Sequence, residues 1–574
     1  MVRLVDWEGL APGTNDFRLV AERHVGDAAV PDVLLRVNGL PWVVIAQEPD
    51  ARGVIDYLIH RIRNLAGASR DSAPARPELA RYAQLLVVMD DSDARLGTIT
   101  SAAWEFDRWR TVAPATEEQV RAELGCPVER PLRPWEALTA GVLRPSHLLD
   151  LVRNFVQERE WPPSGYGQQG TVVKTVARYP QYRAVHRVID LLVDRMDGRS
   201  GNTPAWHGGL VRHFADSGAE RTMSFLVRRL RAHPQLAGHK IIVVAQRRER
   251  EHRIADDLAQ GGEGVVSPLS AHRAAQALAL DVPDVLVLTL QRLVGVRDAT
   301  EPPYTDLEDP LPAAVNTRSN ILVILDEPHD LTVHHVRLRE ILPNAAYLGF
   351  ADAPVPRRSQ AAVQHLFGTP VDVYTARDAL ADGVLRPVLY ERAADDGKAD
   401  IDALHVGAPG PAVRTSDASG DDLAAKAARM FRHWAFTGLR HGVAAQVVAA
   451  SRADAVRYCP ALIKARDQLL ADIEGLDPDL LSDPDVEDYA TEEQRALIAL
   501  WSYRHVLKRI APRAAITMGG TEPPEWRRWT QPVGGRAGSG PKGLAEAVAE
   551  PPPALLGSGP AWRSDAGRPA YRPP

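Results

Sequence analysis

The sequence predicts an α/β protein of several domains, and two observations carry that prediction. Short all-apolar runs, each as long as one strand, alternate with segments of helical periodicity, which is typical of a parallel sheet covered by helices. In addition, 574 residues exceed the usual size of one domain, and 45% hydrophobic residues are enough for several cores. The apolar runs are Ile241–Val244, Val285–Leu288, Ile321–Leu325 and Ala345–Gly349, and the clearest helical segment is Met223–Ala232.

The part of the chain before these strands predicts two further regions. From Asn15 to Trp109, short apolar runs alternate with turns, as in a small mixed sheet. From Thr111 to Ser164, helical stretches alternate with proline-rich breaks, and the phrase WPPSGYG that begins at Trp161 has the composition of a linker. The apolar runs of the mixed sheet are Val33–Val37, Trp42–Ile45 and Leu85–Met89.

Charge and cysteine content narrow the classes of function. The net charge of −6 and the pI near 6.3 argue against a globally basic surface, so any nucleic-acid contact has to be a local patch of arginines. Cys126 and Cys459 lie far apart and in no zinc-ligand pattern, which predicts two buried thiols and no structural zinc. With no leader-like start and no run of about eighteen apolar residues, the sequence predicts a cytoplasmic protein with no membrane partner.

The run Ile321–Leu325 is followed directly by two carboxylates, Asp326 and Glu327. Open α/β sheets bind their ligands at the carboxyl ends of the strands, so this pair predicts a site. In nucleotide-driven motors the first carboxylate of such a pair holds Mg²⁺ and the second orients the attacking water. A solvated acidic turn after an apolar strand explains the same residues equally well.

The segment Leu342–Pro354, which reads LPNAAYLGFADAP, resembles the motor region of the R subunit of type I restriction-modification enzymes. In that family the corresponding strand ends in threonine-glycine-threonine-proline. Further phrases resemble the same family in the same order along the chain. For the nuclease domain they are Asn15–Phe17, Pro31–Pro41 and Ala94–Thr98. For the motor they are Arg178–Val185, Lys240–Arg247, Val285–Gln291, Leu366–Gly368, Val371–Tyr374 and Ala381–Gly383, followed by Ala450–Val456 and Ile516–Trp526, which resemble early strands of its second lobe.

The resemblance implies a PD-(D/E)xK-like nuclease fold at the front of an α/β chain, followed by RecA-like parallel α/β motor lobes, of which the second is incomplete. The implied divisions are a degenerate nuclease-like domain at 1–110, a helical linker at 111–167, a first RecA-like helicase/ATPase lobe at 168–390, a partial second lobe at 391–530, and a disordered Gly/Pro/Ala-rich tail at 531–574.

The resemblance also implies ligands and partners. The ligands are ATP and Mg²⁺, and the partners are duplex DNA and the methyltransferase and specificity subunits of a type I restriction complex. The implied residues are Asp326, Glu327 and His329 for motor catalysis, Asp32 for nuclease catalysis, Asp326 and Asp32 for metal, and Tyr179, Gln181, Ser217, Gly218 and Thr222 for the nucleotide.

The phosphate loop departs from the pattern of that family at three positions. Such a loop needs glycines for close approach, a lysine for the β and γ phosphates, and a hydroxyl for Mg²⁺. Here Asp216 replaces the first glycine, Ala219 the lysine and Glu220 the hydroxyl residue. Loss of the charged donor forfeits about 1.5–3 kcal/mol, and a carboxylate about 4 Å from a phosphate adds about 4 kcal/mol of repulsion. We therefore expect weak or absent ATP binding, unless Mg²⁺ bridges Glu220 to the nucleotide.

Two other motifs also lack residues that the family uses for catalysis or signalling. Ala351, Asp352 and Ala353 replace the threonine-glycine-threonine of the motor, whose hydroxyls help to relay the nucleotide state. In the nuclease motif, Ala46 and Glu48 stand where glutamate and lysine are expected, which predicts no DNA cleavage. The arginine finger of the second lobe cannot be located before the Gly/Pro/Ala-rich tail.

These departures predict a catalytically impaired protein that binds DNA or a partner. Two alternatives remain open: a residual DNA-stimulated ATPase that uses Gln181, Asp326 and Glu327, and a non-catalytic assembly subunit that docks the methyltransferase and specificity subunits. The arginine-rich segments Arg228–Arg231 and Arg247–Arg250 could contact DNA phosphates or could be ordinary solvated helix faces.

Overall fold

The computed structural model of the chain describes residues 5–7, 14–21, 32–48, 50–66, 77–127, 129–161, 171–199, 207–214, 217–294, 311–328, 335–353, 357–385, 392–393, 399–400, 420–439, 442, 445–447, 449, 451–482, 486–514 and 523–529. The chain divides into two compact units, residues 1–408 and residues 409–574. Each unit is described by itself below.

The first unit begins with a six-stranded mixed sheet, here called the head. Its elements are β1 (Phe17–Ala21), β2 (Val33–Val37), β3 (Leu40–Glu48), α1 (Ile55–Ala66), α2 (Pro77–Tyr82), β4 (Leu85–Asp90), β5 (Ala94–Gly97) and β6 (Asp107–Arg108). The strands lie in sequence order, and each pair is antiparallel except β3 and β4. A parallel pair needs a crossover, which α1 provides by packing its buried face on β3 and β4. The mixed sheet predicted for this region is confirmed.

A helical segment and an antiparallel strand pair follow the head. The helices are α3 (Glu117–Leu124), α4 (Pro134–Leu138) and α5 (Pro145–Asp150), with π-helical turns at Thr139–Leu143 and Leu151–Phe155, and the strands are β7 (Val156–Trp161) and β8 (Thr171–Val176). The linker expected after Trp161 lies outside the described residues.

The centre of the first unit is a seven-stranded sheet, here called the motor lobe, in which all described pairs are parallel. Its strands are β9 (His207–Phe214), β10 (Lys240–Ala245), β11 (Val265–Val266), β12 (Val285–Thr289), β13 (Ile321–Asp326), β14 (Ala346–Ala353) and β15 (Pro370–Tyr374). Their order is β11-β12-β10-β13-β14-β9-β15. β10, β12 and β13 are buried along their whole length, and each contains the continuous apolar run that the sequence predicts for a strand covered on both faces.

Helices cover both faces of this sheet, and two buried apolar clusters lie between the helices and the strands. The helices are α6 (Tyr179–Met196), α7 (Ala219–Ala232), α8 (Arg248–Gln260), α9 (Ala271–Ala279), α10 (Leu290–Val294), α11 (His335–Ile341), α12 (Arg357–Phe367) and α13 (Ala376–Ala381). A short antiparallel pair, β16 (Arg392–Ala393) and β17 (Ala399–Asp400), follows them. The parallel α/β architecture that the sequence predicts is confirmed.

Polar contacts join the head to the motor lobe. Arg108 Nη1 and Arg110 Nη2 both donate to the carbonyl oxygen of Ala381, at 2.8 and 3.0 Å. Arg178, the residue before α6, donates from Nε to Asp107 Oδ2 at 2.9 Å. Hydrogen bonds therefore join the end of the head to two places in the motor lobe, the start of α6 and the turn after α13.

The described part of the second unit is helical. It comprises α14 (Gly420–Thr437), α15 (Arg452–Glu474), α16 (Pro478–Ser482), α17 (Val486–Tyr489), α18 (Glu492–Leu500) and α19 (Arg504–Arg509). The strand expected at Ala450–Val456 is wrong, because Ser451 accepts a hydrogen bond from the backbone N–H of Asp454 and so caps α15. Residues 515–522 and 530–574 lie outside the described residues. Among the helices described in either unit, none combines the length and the apolar character of a membrane span.

Candidate functional site

The strand order of the motor lobe brings two sequence motifs to one edge of the sheet. The loop after β9 leads through Ser217 and Gly218 into α7, and β13 ends at Asp326. Only β14 separates β9 from β13, and the three strands are parallel, so their carboxyl ends lie side by side. The positions that the resemblance assigns to phosphate and Mg²⁺ are therefore neighbours.

The cation in this site is a side chain, Arg250 of α8. Its Nε and Nη2 donate to the two carboxylate oxygens of Asp326, at 2.8 and 2.6 Å, and its Nη1 donates to Glu220 Oε1 at 2.5 Å. Asp326 is 1% exposed. The fork of the guanidinium matches a carboxylate in two parallel bonds, which is the strongest form of charged hydrogen bond between side chains.

The electrostatics of the cluster favour the ion pair. Desolvation would lower the pKa of Arg250, but the hydrogen bonds and charge of Asp326, with the charges of Glu220 and Glu327, raise that pKa above its ordinary value. A fixed guanidinium about 4 Å away repels an incoming cation by about 4 kcal/mol per unit charge at an effective dielectric near 20. Asp326 is therefore a poor ligand for Mg²⁺ in this arrangement.

Gln181 forms hydrogen bonds with the backbone of the phosphate loop. The side-chain amide of Gln181 donates from Nε2 to the carbonyl oxygens of Ser217 and Gly218, at 3.3 and 3.2 Å. Its Oε1 accepts the backbone N–H of Arg178 at 2.9 Å. The amide that the resemblance directs at adenine is thus bonded to the protein at both ends.

The hydroxyl groups of the loop region are buried. Ser217 is buried, and its backbone N–H donates to the carbonyl oxygen of Phe214 at 3.1 Å. Thr222 is also buried, and its Oγ1 donates to the carbonyl oxygen of Gly218 at 3.1 Å. Ala219, the first residue of α7, supplies no charge where the family has lysine. The residues present therefore do not fit ATP with Mg²⁺.

Gly218 is required by the backbone of this loop. Its φ is +86°, and a Cβ added there would lie 2.9 Å from Gln181 Nε2. We expect Gly218→Ala to lower the free energy of unfolding by about 1–2 kcal/mol, because a residue with a Cβ is strained in the left-handed region. Urea unfolding of the full chain measures this. Gly238→Ala is the control, since a Cβ at Gly238 meets nothing within 4 Å. Equal loss in both variants would contradict the assignment.

Tyr179 belongs to a buried polar cluster that it forms with Tyr374 and Asp382. The hydroxyls of Tyr179 and Tyr374 each donate to Asp382 Oδ2 at 2.8 Å. Arg110 Nε lies 3.0 Å from Asp382 Oδ1. Burial and the bond to Asp382 raise the pKa of both tyrosines above the ordinary value. Asp382 therefore links these tyrosines of the motor lobe to Arg110 of the head.

Glu327 follows Asp326 in a conformation that is unusual for a residue with a side chain. Its φ is +50°, its backbone N–H donates to the carbonyl oxygen of Phe350 at 2.9 Å, and its own carbonyl oxygen accepts from Gln246 Nε2 at 2.7 Å. The side chain is half-buried. Such a fixed backbone holds Glu327 at the carboxyl end of β13, where the sequence predicts a site. His329 and Asp216 lie outside the described residues.

The altered post-strand motif is part of β14. Ala351 is buried, and Asp352 and Ala353 pair with β9 in register. A buried alanine methyl group has no donor or acceptor to carry a nucleotide signal. Through its pairing with β9, this segment lies beside the strand that leads into the Ser217–Gly218 loop.

The head contains a second carboxylate cluster with an arginine at its centre. Asp32, just before β2, accepts from the backbone N–H of Gln47 at 2.7 Å and forms a close ion pair with Arg61 of α1. The other terminal nitrogen of Arg61 lies 3.7 Å from Glu48 Oε1. Ala46, at the position of the nuclease glutamate, is fully buried in the apolar core. Among the described residues, no group of three or more His, Cys, Asp or Glu could hold a metal ion.

The arginine-rich segments are mostly turned inward. Arg228 and Arg231 donate to backbone carbonyls within the same unit, and Arg229 forms an ion pair with a carboxylate at 3.0 Å. Arg247 and Arg248 are exposed. The first segment therefore serves packing and is not available as a phosphate-binding surface.

Three groups that define these sites escaped the sequence analysis. Arg250 and Arg61 are distant in sequence from the carboxylates they bond. Asp372 pairs with Arg183 and Arg187 of α6 and with His213 of β9. For Asp32, the partner is Arg61 of the amphipathic helix Ile55–Ala66, whose side chain is largely buried. For the other two, nothing in the local sequence indicates the pairing.

Comparison with known proteins gives consistent relationships for both parts of the first unit. Residues 1–103 match the family described as type I restriction enzyme R protein N terminus, and residues 180–407 match the family described as SWI2/SNF2 ATPase. The type I restriction enzyme HindI endonuclease subunit of Haemophilus influenzae is 28% identical over 434 residues, which are 70% of this chain and 37% of that protein. The type I restriction enzyme MjaIXP endonuclease subunit of Methanocaldococcus jannaschii is 21% identical over 404 residues, 68% of this chain and 36% of that protein.

A solved structure, the fragment of an HsdR subunit of a type I restriction enzyme from Vibrio vulnificus, covers 80% of this chain and 70% of its own, with 12% identity and a TM-score of 0.30. The chain spans about a third of the length of the curated relatives it matches.

Proposed function

Because the chain is a relative of type I restriction enzyme R subunits that joins their N-terminal domain to a helicase-type ATPase lobe, we propose that it is a catalytically impaired form of such a subunit. In this role it binds duplex DNA or a partner in a restriction-like assembly without driving ATP turnover or cleaving DNA. The partners proposed are methyltransferase and specificity subunits, and the proposed location is the cytoplasm, where such an assembly would meet DNA.

The observation that carries the proposal is the bonding of Asp326. Both of its oxygens accept from Arg250, and the adjoining Glu220 accepts from the same guanidinium. Phosphoryl transfer depends on a metal and cationic groups arranged around the γ phosphate. Here one cation is committed to two carboxylates, and Ala219 provides none.

The experiment is ATP binding and turnover by the purified full chain, with and without duplex DNA. We expect turnover no greater than that of Glu327→Gln, and no increase when DNA is added, because the cationic anchor for phosphate is missing. Binding of radiolabelled ATP at micromolar concentration is expected to be undetectable. DNA-stimulated turnover that Glu327→Gln abolishes would overturn the proposal.

A residual ATPase is the second candidate, and the position of Glu327 favours it. Its half-buried side chain stands at the carboxyl end of β13 beside Asp326. In this reading Gln181, Asp326 and Glu327 would act with an unconventional phosphate loop. The same turnover assay separates the two candidates, because only the second requires a difference between the native chain and Glu327→Gln.

The binding role needs its own measurement. Co-expression with methyltransferase and specificity subunits of a type I system is expected to yield a complex on size exclusion, and the complex is expected to bind duplex DNA. Glu327→Gln serves as the matched control and is expected to assemble equally well. A monodisperse chain that binds neither the subunits nor duplex DNA would contradict both the partner-binding and the DNA-binding role.

A further inference from the structure

The head and the motor lobe share one arrangement. In each, an arginine from a neighbouring helix lies between two carboxylates at the place where the family resemblance puts a divalent metal. We propose that Arg250 and Arg61 are resident cations that replace the two metal ions, so that both sites are complete without a divalent cation. This inference rests on the proposed function, since it explains how the carboxylates can persist in a non-catalytic chain.

The motor lobe shows how the replacement is balanced. The family pattern has a lysine and a hydroxyl where this chain has Ala219 and Glu220, so these two positions lose one positive charge and gain one negative charge. Arg250 meets that added carboxylate and Asp326 together, using Nη1 for Glu220 and Nε with Nη2 for Asp326. Its principal donors are therefore all engaged by protein oxygens.

The head shows the same exchange with different residues. Glu48 stands where the nuclease lysine is expected, so a carboxylate has replaced a cation on β3. Arg61 on α1 supplies a cation from the opposite side, and it contacts both Asp32 and Glu48. The side chains of Arg61 and Asp32 are largely buried, which shields the pair from water. Two unrelated sites have thus reached one solution.

The competing reading is that Arg250 replaces the phosphate-loop lysine and binds the phosphates of a nucleotide. The geometry disfavours it, because phosphate would have to displace two carboxylates that already bond the guanidinium and would itself be repelled by them. This reading becomes an outcome of the test below.

The test is a titration of the full chain with Mn²⁺. Electron paramagnetic resonance measures the concentration of free Mn²⁺, and the bound ion is obtained by difference. The native chain and the controls Arg253→Ala and Arg81→Ala are expected to bind Mn²⁺ only weakly. Arg253 is exposed on α8, one turn from Arg250, and Arg81 is exposed on α2. Arg250→Ala is expected to gain one Mn²⁺ at least ten-fold tighter, because two carboxylates with waters suffice for a hard divalent cation. Arg61→Ala is expected to gain one Mn²⁺ at the other site, in the head, independently of the site in the motor lobe.

A further variant shows which residues bind the ion. Adding Asp326→Asn to Arg250→Ala is expected to abolish the gained Mn²⁺. If Arg250→Ala does not fold alone, Arg250→Gln is used, and Mn²⁺ is expected to raise the Tm of whichever variant is studied by several degrees while leaving the native Tm unchanged.

Tight Mn²⁺ binding by the native chain, or no gain in either arginine variant, would overturn the inference. ATP affinity of the native chain that Arg250→Ala removes would favour the phosphate-binding reading and also overturn it. These outcomes are separate from those of the turnover assay, because a chain without ATPase activity can still bind Mn²⁺ at native carboxylates.

Discussion

Arg250→Ala is expected to lower the free energy of unfolding of the first unit by about 3 kcal/mol in metal-free buffer. The reason is that Asp326 is 1% exposed and loses both of its charged donors at once. Removing one partner of a buried ion pair leaves an uncompensated charge, which typically costs about 3–5 kcal/mol. We take the lower end because the side chains of Arg250 and Glu220 are each about a fifth exposed.

Urea unfolding at neutral pH measures this loss, with Arg253→Ala as the control. Both variants remove one arginine from α8, but Arg253 is exposed, so its replacement is expected to change stability by less than about 0.5 kcal/mol. In a double-mutant cycle, Arg250→Ala and Asp326→Ala are expected to be strongly non-additive. Additive losses, or equal losses in the two arginine variants, would contradict the buried ion pair.

Asp372→Asn is expected to lower the free energy of unfolding by a similar amount, about 3 kcal/mol, for a related reason. Asp372 is 1% exposed in β15 and accepts two bonds from Arg183, at 2.7 and 2.9 Å, and one from Arg187 at 2.9 Å. His213 Nε2 lies 2.9 Å from Asp372 Oδ1. An amide at this position retains the shape but loses the charge that these groups surround.

The dependence on pH gives this prediction a sign. Burial would raise the pKa of Asp372, but the hydrogen bonds and charges of His213 and Arg183 outweigh it and lower that pKa below its ordinary value. A carboxylate with a lowered folded pKa contributes stability that is complete above the unfolded value, about 3.9, and is lost as the pH falls through the folded value. The difference between the native chain and Asp372→Asn is therefore expected to be constant above about pH 5 and to shrink below pH 4.

Urea unfolding between pH 3 and pH 7 provides the measurement. Asp256→Asn is a suitable control, since Asp256 is exposed on α8. A stability difference between the native chain and Asp372→Asn that grows on acidification would contradict a lowered pKa of Asp372 in the folded chain.

The backbone of the motor lobe was predictable from the sequence, whereas the chemistry of its site was not. A strand such as β13, buried on both faces, is a continuous apolar run that stands out from its surroundings. The loss of the phosphate-loop lysine is also visible in the sequence, because that motif is local. The partner of Asp326 is different, since Arg250 lies 76 residues away and only the fold brings it near.

In the second unit, the sequence resemblance failed to predict a local conformation. Resemblance to a motor strand suggested an extended segment at Ala450–Val456, but local capping by Ser451 begins a helix there. The serine and the aspartate three residues later form a helix-start signal that outweighs a short match to a strand motif. Resemblance over a few residues therefore did not predict the local conformation at this position.

The bonds that meet at Ala381 and Asp382 have a mechanical consequence. Two arginines of the head and two tyrosines of the motor lobe converge on this one turn after α13, so neither part can swivel without breaking several buried or shielded bonds together. The head is carried by the lobe as a fixed attachment. The Arg178–Asp107 bond joins the two parts at a second point, so the head and the lobe are expected to move as one body.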